Sequence, residues 1–576
     1  MTMKRALLIL LTLLMLISVA GGCAKTTESS STGTTAATTT AATTAETTAS
    51  QLDYLNMEST LPIIKEGENL TLKLVSVSSV VVDPKDQWLW AFYKEYGNLD
   101  LDVKLYDVAS WGEQKNLLFT SGDLPDIFWQ CAFSAQEMVR YGQAEGMFYP
   151  IEEILDYAPL LKQAIEENPS IQMESTTPDG HFYCIPNIAN PDDYPLSTAR
   201  YYIHQAWLDK LQLDMPKTLN DLTSVLAEFK GNDLNENGQI DEIPWAAFLG
   251  SSTSGNAATM ILTALGINAG STTDLYARDD GKLSIGAYEE NYIEYLKYMK
   301  DLFDQGLIDP DFYTMTVEQF NAKISQNSVG LAAMGAPFVY LPDPAQYEEY
   351  QPLPPLTSDF NDEQIWPIGS QISQGTFAIA YNTEYPEAAI RVADVQFIHI
   401  APVLFWLGPI YTEGETAEYF VEGYTEGLFC GVKDGAIFAD TPGGIGIWDY
   451  LPTQVQPYNG GPIGYGWSQA IFEEMIGDKG EQVPQEQFWR IPFRANVVPH
   501  LKLTRPSLFL APDKLESSNG LILPITDYVK TMEAKFIMGK EPLENIDDFY
   551  AQLETLGIKE YLQLQQEAYD AYLANQ

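Results

Sequence analysis

Cysteine and histidine are scarce in this chain, with four of each in 576 residues. The cysteines are Cys23, Cys131, Cys184 and Cys430, and no two of them form a C-x-x-C pair. That excludes a zinc ribbon and a disulfide-stapled scaffold. Cys131, Cys184 and Cys430 read as small core residues, with Cys131–Cys184 the one bridge to test. The histidines are His181, His204, His399 and His500. None lies in H-E-x-x-H, and none is paired at zinc-ligand spacing. A G-x-S-x-G elbow and a P-loop are also missing, so no nucleophilic or phosphate-transfer centre is legible. Gly443-Gly-Ile-Gly446 and Gly460-Gly-Pro-Ile-Gly464 lack a strand–helix setting for phosphate and read as loops near a binding cleft.

Positive charge is short as well. Lys and Arg number 32 against 79 Asp and Glu, a formal charge of −47. This argues against nucleic acid and against electrostatic attachment to anionic lipid. Lys4-Arg5 precede a nearly unbroken apolar run from Ala6 to Val19, which is too short and wrongly flanked to span a bilayer. Ala20-Gly21-Gly22-Cys23 follows. Residues 1–22 therefore read as a signal peptide with small residues before a cysteine, as at a lipoprotein cleavage site. Cys23 is the expected lipidation site, on the extracellular face of a bacterial cell membrane. Residues 23–50 are almost all Thr, Ser and Ala, cannot bury enough apolar surface to fold, and read as a tether.

The remainder has what a large folded body needs. Across the chain, apolar residues are 45% and aromatics 12%. Thr71–Val77 has strand character, Trp88–Tyr96 reads as an amphipathic helix, and Leu101–Tyr106 alternates as a strand. A helix is expected around Trp111–Phe119, and Ser121–Trp129 reads as a turn into a short buried strand. Strand and helix alternate, which implies an α/β fold with a mainly parallel sheet. Thr218–Lys230 and Asn291–Gln305 read as helices, Ser328–Met334 and Thr376–Ala380 as strands, Pro386–Phe397 as a proline-led helix, and 525–573 as mostly helical. No repeat of 20 to 50 residues is visible.

One segment points to a metal. Asp233-Leu-Asn235-Glu-Asn237-Gly238-Gln239-Ile-Asp241-Glu242 has the D-x-[DN]-x-[DN]-G spacing of a calcium loop, with glycine where the turn needs positive φ. Position 12, normally a bidentate glutamate, is Pro244, and Ile243-Pro244-Trp245 reads as extended. The loop is therefore a structural clamp rather than a paired-helix switch.

Several segments together resemble extracellular solute-binding lipoproteins of carbohydrate ABC transporters, in the branch of alginate-oligosaccharide-binding proteins. They are Ser121–Ile127, Phe128-Trp129 with Tyr141–Phe148, Tyr201–Thr218, Glu384–Ala389 and Ala534–Pro542. The resemblance implies a two-lobed periplasmic-binding-protein-like fold with discontinuous lobes and a central cleft. Lobe 1 is expected at 51–199 plus 370–446, and lobe 2 at 200–369 plus 447–576. It also implies structural calcium held by the side chains of Asp233, Asn235, Asn237, Asp241 and Glu242 and the carbonyl of Gln239. The implied partners are an oligosaccharide and the permease subunits of an ABC importer. A monomer touching the membrane only through its anchor is expected, with no enzymatic step.

Sugar faces stack on aromatic rings, and hydroxyls pair with planar polar groups. Trp129 ends the third strand, where ligands meet α/β sheets. Asp126 either orients that loop or binds a hydroxyl. Phe338 follows Gly335-Ala-Pro337, where maltose-binding relatives present aromatics. Trp448, Tyr450 and Trp467 lie near glycine loops. Arg490, with Arg494, Lys502 and Arg505, would favour an acidic glycan if it lined the cleft. The rival readings are a receptor for a peptide or another non-sugar solute, and a secreted glycan-degrading enzyme.

Overall fold

The computed structural model describes residues 52–189, 200–248, 255–337, 340–341, 343–408 and 491–574, with short pieces at 411–412, 419, 421, 430–433, 436–439, 463–466 and 471. Residues Tyr54–Gln576 form one compact unit. The strands are β1 (Thr71–Ser78), β2 (Asp100–Asp107), β3 (Ile127–Trp129), β4 (Cys184–Ile188), β5 (Tyr201–His204), β6 (Ile243–Ala246), β7 (Leu275–Ala277) and β8 (Leu283–Ile285). They continue with β9 (Val329–Ala333), β10 (Tyr350–Pro352), β11 (Trp366–Ile368), β12 (Ile372–Ile379), β13 (Tyr411–Thr412), β14 (Cys430–Lys433), β15 (Ala436–Ala439) and β16 (Leu501–Leu503).

Two larger sheets organise the body. The first has the order β2-β1-β3-β12-β4 and the second β10-β5-β9-β6. In the first, β1 runs parallel to β2 and β3, while β12 is antiparallel to β3 and β4. In the second, β6 and β9 are parallel, and β5 is antiparallel to both β9 and β10. The expected mainly parallel sheet is thus corrected to a mixed one. For β12 the cause is connectivity: it follows β11 through residues 369–371, without a helical return to set it parallel.

Local sequence explains the helices. Trp88–Gly97 stops at Asn98, which takes the left-handed conformation at φ 51°. Leu219–Gly231 starts with a capping box: Thr218 Oγ1 accepts the Asp221 N–H, and the Asp221 carboxylate accepts the Thr218 N–H. Pro386 opens Pro386–Asp394 at its first turn. The C-terminal part is three helices, Pro512–Ile537, Ile546–Thr555 and Ile558–Ala574. Among the described residues no helix is long and apolar enough to cross a membrane.

Each sheet has its own core. One face of the first sheet buries Leu74, Trp88, Trp129, Phe377 and Phe405, and the other Val75, Phe119, Phe128 and Tyr141. The second core joins Trp207, Phe229, Trp245, Leu331 and Trp366 to Ile525 and Phe549 of the C-terminal helices. Ile463, which the expected boundary assigns to lobe 2, packs in the first core. Gly464 and Gly466 bond Ile188 at the edge of the first sheet, so this part of the glycine-rich stretch packs on β4. Cys131 and Cys184 are free and buried, as small core residues, and form no bridge with each other.

Candidate ligand cleft and acidic loop

In α/β sheets, ligands sit beyond the carboxyl ends of the strands. In the first sheet β3 leads into Gln130 and Ala132, both non-glycine residues with positive φ, 54° and 47°. Such conformations are costly and persist only where surroundings impose them. Here the loop lies flat on β12: Cys131 N bonds Thr376 O, and Phe133 N bonds Gly375 O at 2.9 Å. Gly375 is required, because a Cβ there would lie 2.0 Å from the Phe133 carbonyl oxygen. Trp111 Nε1 donates to Cys131 O at 2.9 Å. The Lys115 ammonium pairs with Glu137 and lies 5.7 and 5.6 Å from the Trp111 and Phe133 ring centroids. Val81 and Val108, just past β1 and β2, are half exposed, giving this end an apolar rim.

The matching end of the second sheet is built around Arg200, just before β5. Its Nη1 donates to Gly335 O at 2.5 Å, and its carbonyl accepts Met334 N–H at 2.8 Å. Gly255 N bonds Ala333 O, and Phe248 N bonds Gly255 O, both at 2.8 Å. Asn256 caps the next helix through Ala258 N and Thr259 N, and its amide holds Gly270 O. The described residues at this end are therefore held by hydrogen bonds before ligand arrives, which limits the ordering entropy of binding. Arg200, Gln130 and Asn256 were not singled out in the sequence. An arginine directly before the apolar run Tyr201-Tyr202-Ile203 was the one available signal.

Of the expected ligand residues, Trp129 and Asp126 lie among the described ones. Trp129 is fully buried, set edge-on to Trp90 at 5.5 Å and to Phe377 at 6.1 Å. Both faces of the sheet at β3 are covered by core clusters, which take Trp129 on one side and Phe128 on the other. Asp126 precedes β3, at the opposite end from the cleft. Its carboxylate accepts Lys73 N at 2.8 Å and Thr383 Oγ1 at 2.6 Å, a turn-locking role. Phe338, Trp448, Tyr450, Trp467, Arg490 and Cys23 lie outside the described residues. Of the basic cluster, Lys502 is paired with Asp279 at 2.7 Å, while burial lowers the Arg505 pKa and nearby Tyr561, Asp274 and Glu174 counter that.

The acidic loop closes on itself. Glu242 is buried; its Oε1 accepts Leu234 N and Asn235 N at 2.5 and 3.1 Å, and its Oε2 accepts Asp241 N at 3.1 Å. Asn235 Oδ1 accepts Asn237 N, and Asn237 Oδ1 accepts Gln239 N. Gly238 takes φ 86°, as its place in the motif requires, and donates to Asp233 Oδ2 at 2.9 Å. Lys210 Nζ bonds the carbonyls of Asp233 and Leu234 and the carboxylate of Glu236. Asp233 Oδ1 is buried without a hydrogen-bond partner, an acceptor that a cation would satisfy. Among the described residues, no three His, Cys, Asp or Glu side chains converge as a metal cluster. A calcium loop also relies on amide and carbonyl oxygens. The donor set of Asp233, Asn235, Asn237, Gln239, Asp241 and Glu242 is all oxygen and fits a hard cation, once Glu242 turns from its N–H partners.

The thiols of Cys131 and Cys184 are pushed up by burial, the reverse of an activated nucleophile. His181 pairs with Glu152 at 2.6 Å near the surface. His204 is buried and pushed down to about 3 by desolvation.

No family model matches the chain. The chain is 27% identical over 545 residues to the fructooligosaccharide ABC transporter substrate-binding protein FusA of Streptococcus pneumoniae, covering 92% of this chain and 95% of that protein. The structure of FusA in complex with kestose superposes with a TM-score of 0.67 at 25% identity, over 88% of this chain and 100% of that one. The chain is similar to ABC-transporter substrate-binding proteins over nearly its full length. These relatives are named as binding proteins of ABC transporters. An EF-hand mutant of FusA, in complex with fructo-nystose, superposes equally well, with a TM-score of 0.67 at 24% identity over 88% and 100% of the two chains. The alginate-binding protein AlgQ2, solved without calcium ion, shares the fold with a TM-score of 0.57 at 21% identity over 88% and 98% of the two chains. Lipoprotein LipO of Bacillus subtilis is 26% identical over 243 residues, 41% of this chain and 44% of that protein. A two-lobed fold like that of these solute-binding proteins fits the separate cores of the two larger sheets.

Proposed function

We propose that this protein is a lipid-anchored extracellular receptor that captures an oligosaccharide between its lobes and delivers it to the permease of an ABC importer. The observation that carries the reading is near full-length similarity to a fructooligosaccharide-binding protein, in both sequence and structure. The short chains of fructose are the first ligands to test. Capture is a population shift: ligand favours the closed arrangement because it contacts both lobes there.

Cys23 is the proposed anchor, supported by the small residues before it, the tether after it, and a relative named as a lipoprotein. Calcium is proposed at Asp233–Glu242, supported by the oxygen-only donor set, the unpartnered Asp233 oxygen and the EF-hand of FusA. When bound, the ion would offset the mutual repulsion of Asp233, Asp241 and Glu242 and stiffen the loop after Leu219–Gly231. Phe338, Trp448, Tyr450, Trp467 and Arg490 remain proposed ligand contacts.

A thermal-shift panel tests the reading. A ligand held at about 100 times its Kd adds about 2.7 kcal/mol of stability. Stabilisation by fructooligosaccharides or another glycan is expected. Stabilisation by peptides alone would overturn the sugar reading, and shortened sugars after incubation would revive an enzymatic one.

A further inference from the structure

Two described segments cross between the cores: residues 368–372, from β11 into β12, and residues 503–509, which run from β16 to Phe509 against the first sheet. Both are clamped on each side. On the second-lobe side, β11 and β16 pair along Trp366↔Leu501, Pro367↔Lys502 and Ile368↔Leu503. Thr504 N adds a bond to Ile368 O at 2.8 Å, and Ala277 N bonds Thr504 O at 2.7 Å. Asn268 Nδ2 holds the Lys502 and Leu503 carbonyls at 3.3 and 3.1 Å.

On the first-lobe side one buried carboxylate takes both segments. Glu174 Oε2 accepts Ser370 Oγ at 2.5 Å and Ser507 N at 2.6 Å. Ser370 Oγ in turn accepts Ile372 N at 3.0 Å, Ser507 Oγ donates to Ile372 O, and the Gln374 amide donates to Glu174 O. Glu174 closes the helix Ser170–Met173 and belongs to the first lobe. Between the clamps, among the described residues, no backbone–backbone hydrogen bond reaches Gly369, Arg505 or Pro506. A Cβ at Gly369 would meet nothing within 4 Å.

We infer that Glu174 is the positioning residue of the hinge: by fixing Ser370 and Ser507 to the first lobe, it confines bending to Gly369 in one crossing segment and Arg505–Pro506 in the other. Hinges are short unclamped stretches whose backbone angles absorb the rotation. Ribbon β11–β16 then moves with the second lobe, and β12 with the first. The inference rests on the reading that the lobes close around ligand.

The test is residue-resolved hydrogen exchange on the ligand-free mature protein, followed by kestose titration. In the wild type, Gly369 and Arg505 exchange fast and Ile372 and Ser507 slowly. Glu174→Ala raises exchange at Ile372 and Ser507 about tenfold or more, the scale of losing a hydrogen bond to a charged group, and leaves Leu501–Leu503 unchanged. Glu174→Gln keeps the acceptor oxygen and restores the protection. Kestose affinity then falls about tenfold in Glu174→Ala and stays near wild type in Glu174→Gln, because the clamp acts through geometry. Unchanged exchange at Ser507 in Glu174→Ala, or an equal rise throughout β11 and β16, would overturn the inference. Should kestose bind no variant, including wild type, the fructooligosaccharide reading fails while the exchange data still decide the hinge.

Discussion

Arg391 and Asp394 form an ion pair at 3.0 Å with side chains 1% and 0% exposed, deep beneath the first sheet. Neither charge is idle elsewhere. Arg391 Nη2 donates to the carbonyls of Ser59 and Thr60 at 2.6 and 2.8 Å, tying the N-terminal segment to the core. Asp394 Oδ1 accepts Leu160 N and Leu161 N, capping Pro159–Glu167. Burial raises the Asp394 pKa to about 6, but two N–H donors and the guanidinium oppose that, and the geometry is that of an ionised pair.

Removing one partner strands the other in apolar surroundings. Asp394→Ala or Arg391→Ala should destabilise the protein by roughly 3–5 kcal/mol. The double substitution should cost less than the sum of the two. Denaturant unfolding of the four proteins gives the coupling.

His204 predicts an acid limb. It stacks on Trp207 at 4.4 Å and lies 4.6 Å from Tyr350. Glu349 Oε2 lies 3.3 Å from Nε2, but neither ring nitrogen makes a well-formed hydrogen bond. Burial holds the imidazole down to about 3, with the Asn327 side chain pulling weakly the other way. The unfolded chain takes up a proton near the ordinary imidazole value, while the folded protein resists until about pH 3. Stability is therefore full above about pH 6.5 and falls by up to about 1.4 kcal/mol per pH unit between 6.5 and 3. His204→Phe should flatten that part of the profile, measured as melting temperature against pH.

Trp129 separates packing from binding. Trp129→Ala should cost about 3–5 kcal/mol. Trp129→Phe should leave ligand affinity within about threefold, because the ring fills a core and meets no ligand. A large loss of affinity in a well-folded Trp129→Phe protein would return Trp129 to the cleft.

Chelation tests the acidic loop. Removing calcium should lower the melting temperature, and Asp233→Ala should abolish that response. At a free calcium about 100 times its Kd the ion adds about 2.7 kcal/mol. No response to chelation, with no calcium found by elemental analysis, would remove the metal from the account.

Much of the fold was legible because local signals agreed. A helix read from Thr218 matches Leu219–Gly231, Pro386 marked another helix start, and alternation marked β2. The direction of β12 was not legible, since it depends on how the segment after β11 enters the sheet. Position along a strand misled at Trp129: the carboxyl-end rule concerns the loop, while alternation along β3 puts this side chain on a face that is covered by core. Glu174 left no local trace, because Ser370 and Ser507 lie 196 and 333 residues away. The calcium motif was plain in its spacing, yet Glu242's three N–H partners depend on the closed turn.

The most direct measurement is isothermal titration of the mature protein with kestose. The account predicts saturable binding of one sugar per chain, weakened when the lobes cannot close. Absence of binding to kestose and longer fructooligosaccharides, at concentrations where a peptide binds one to one, would contradict it.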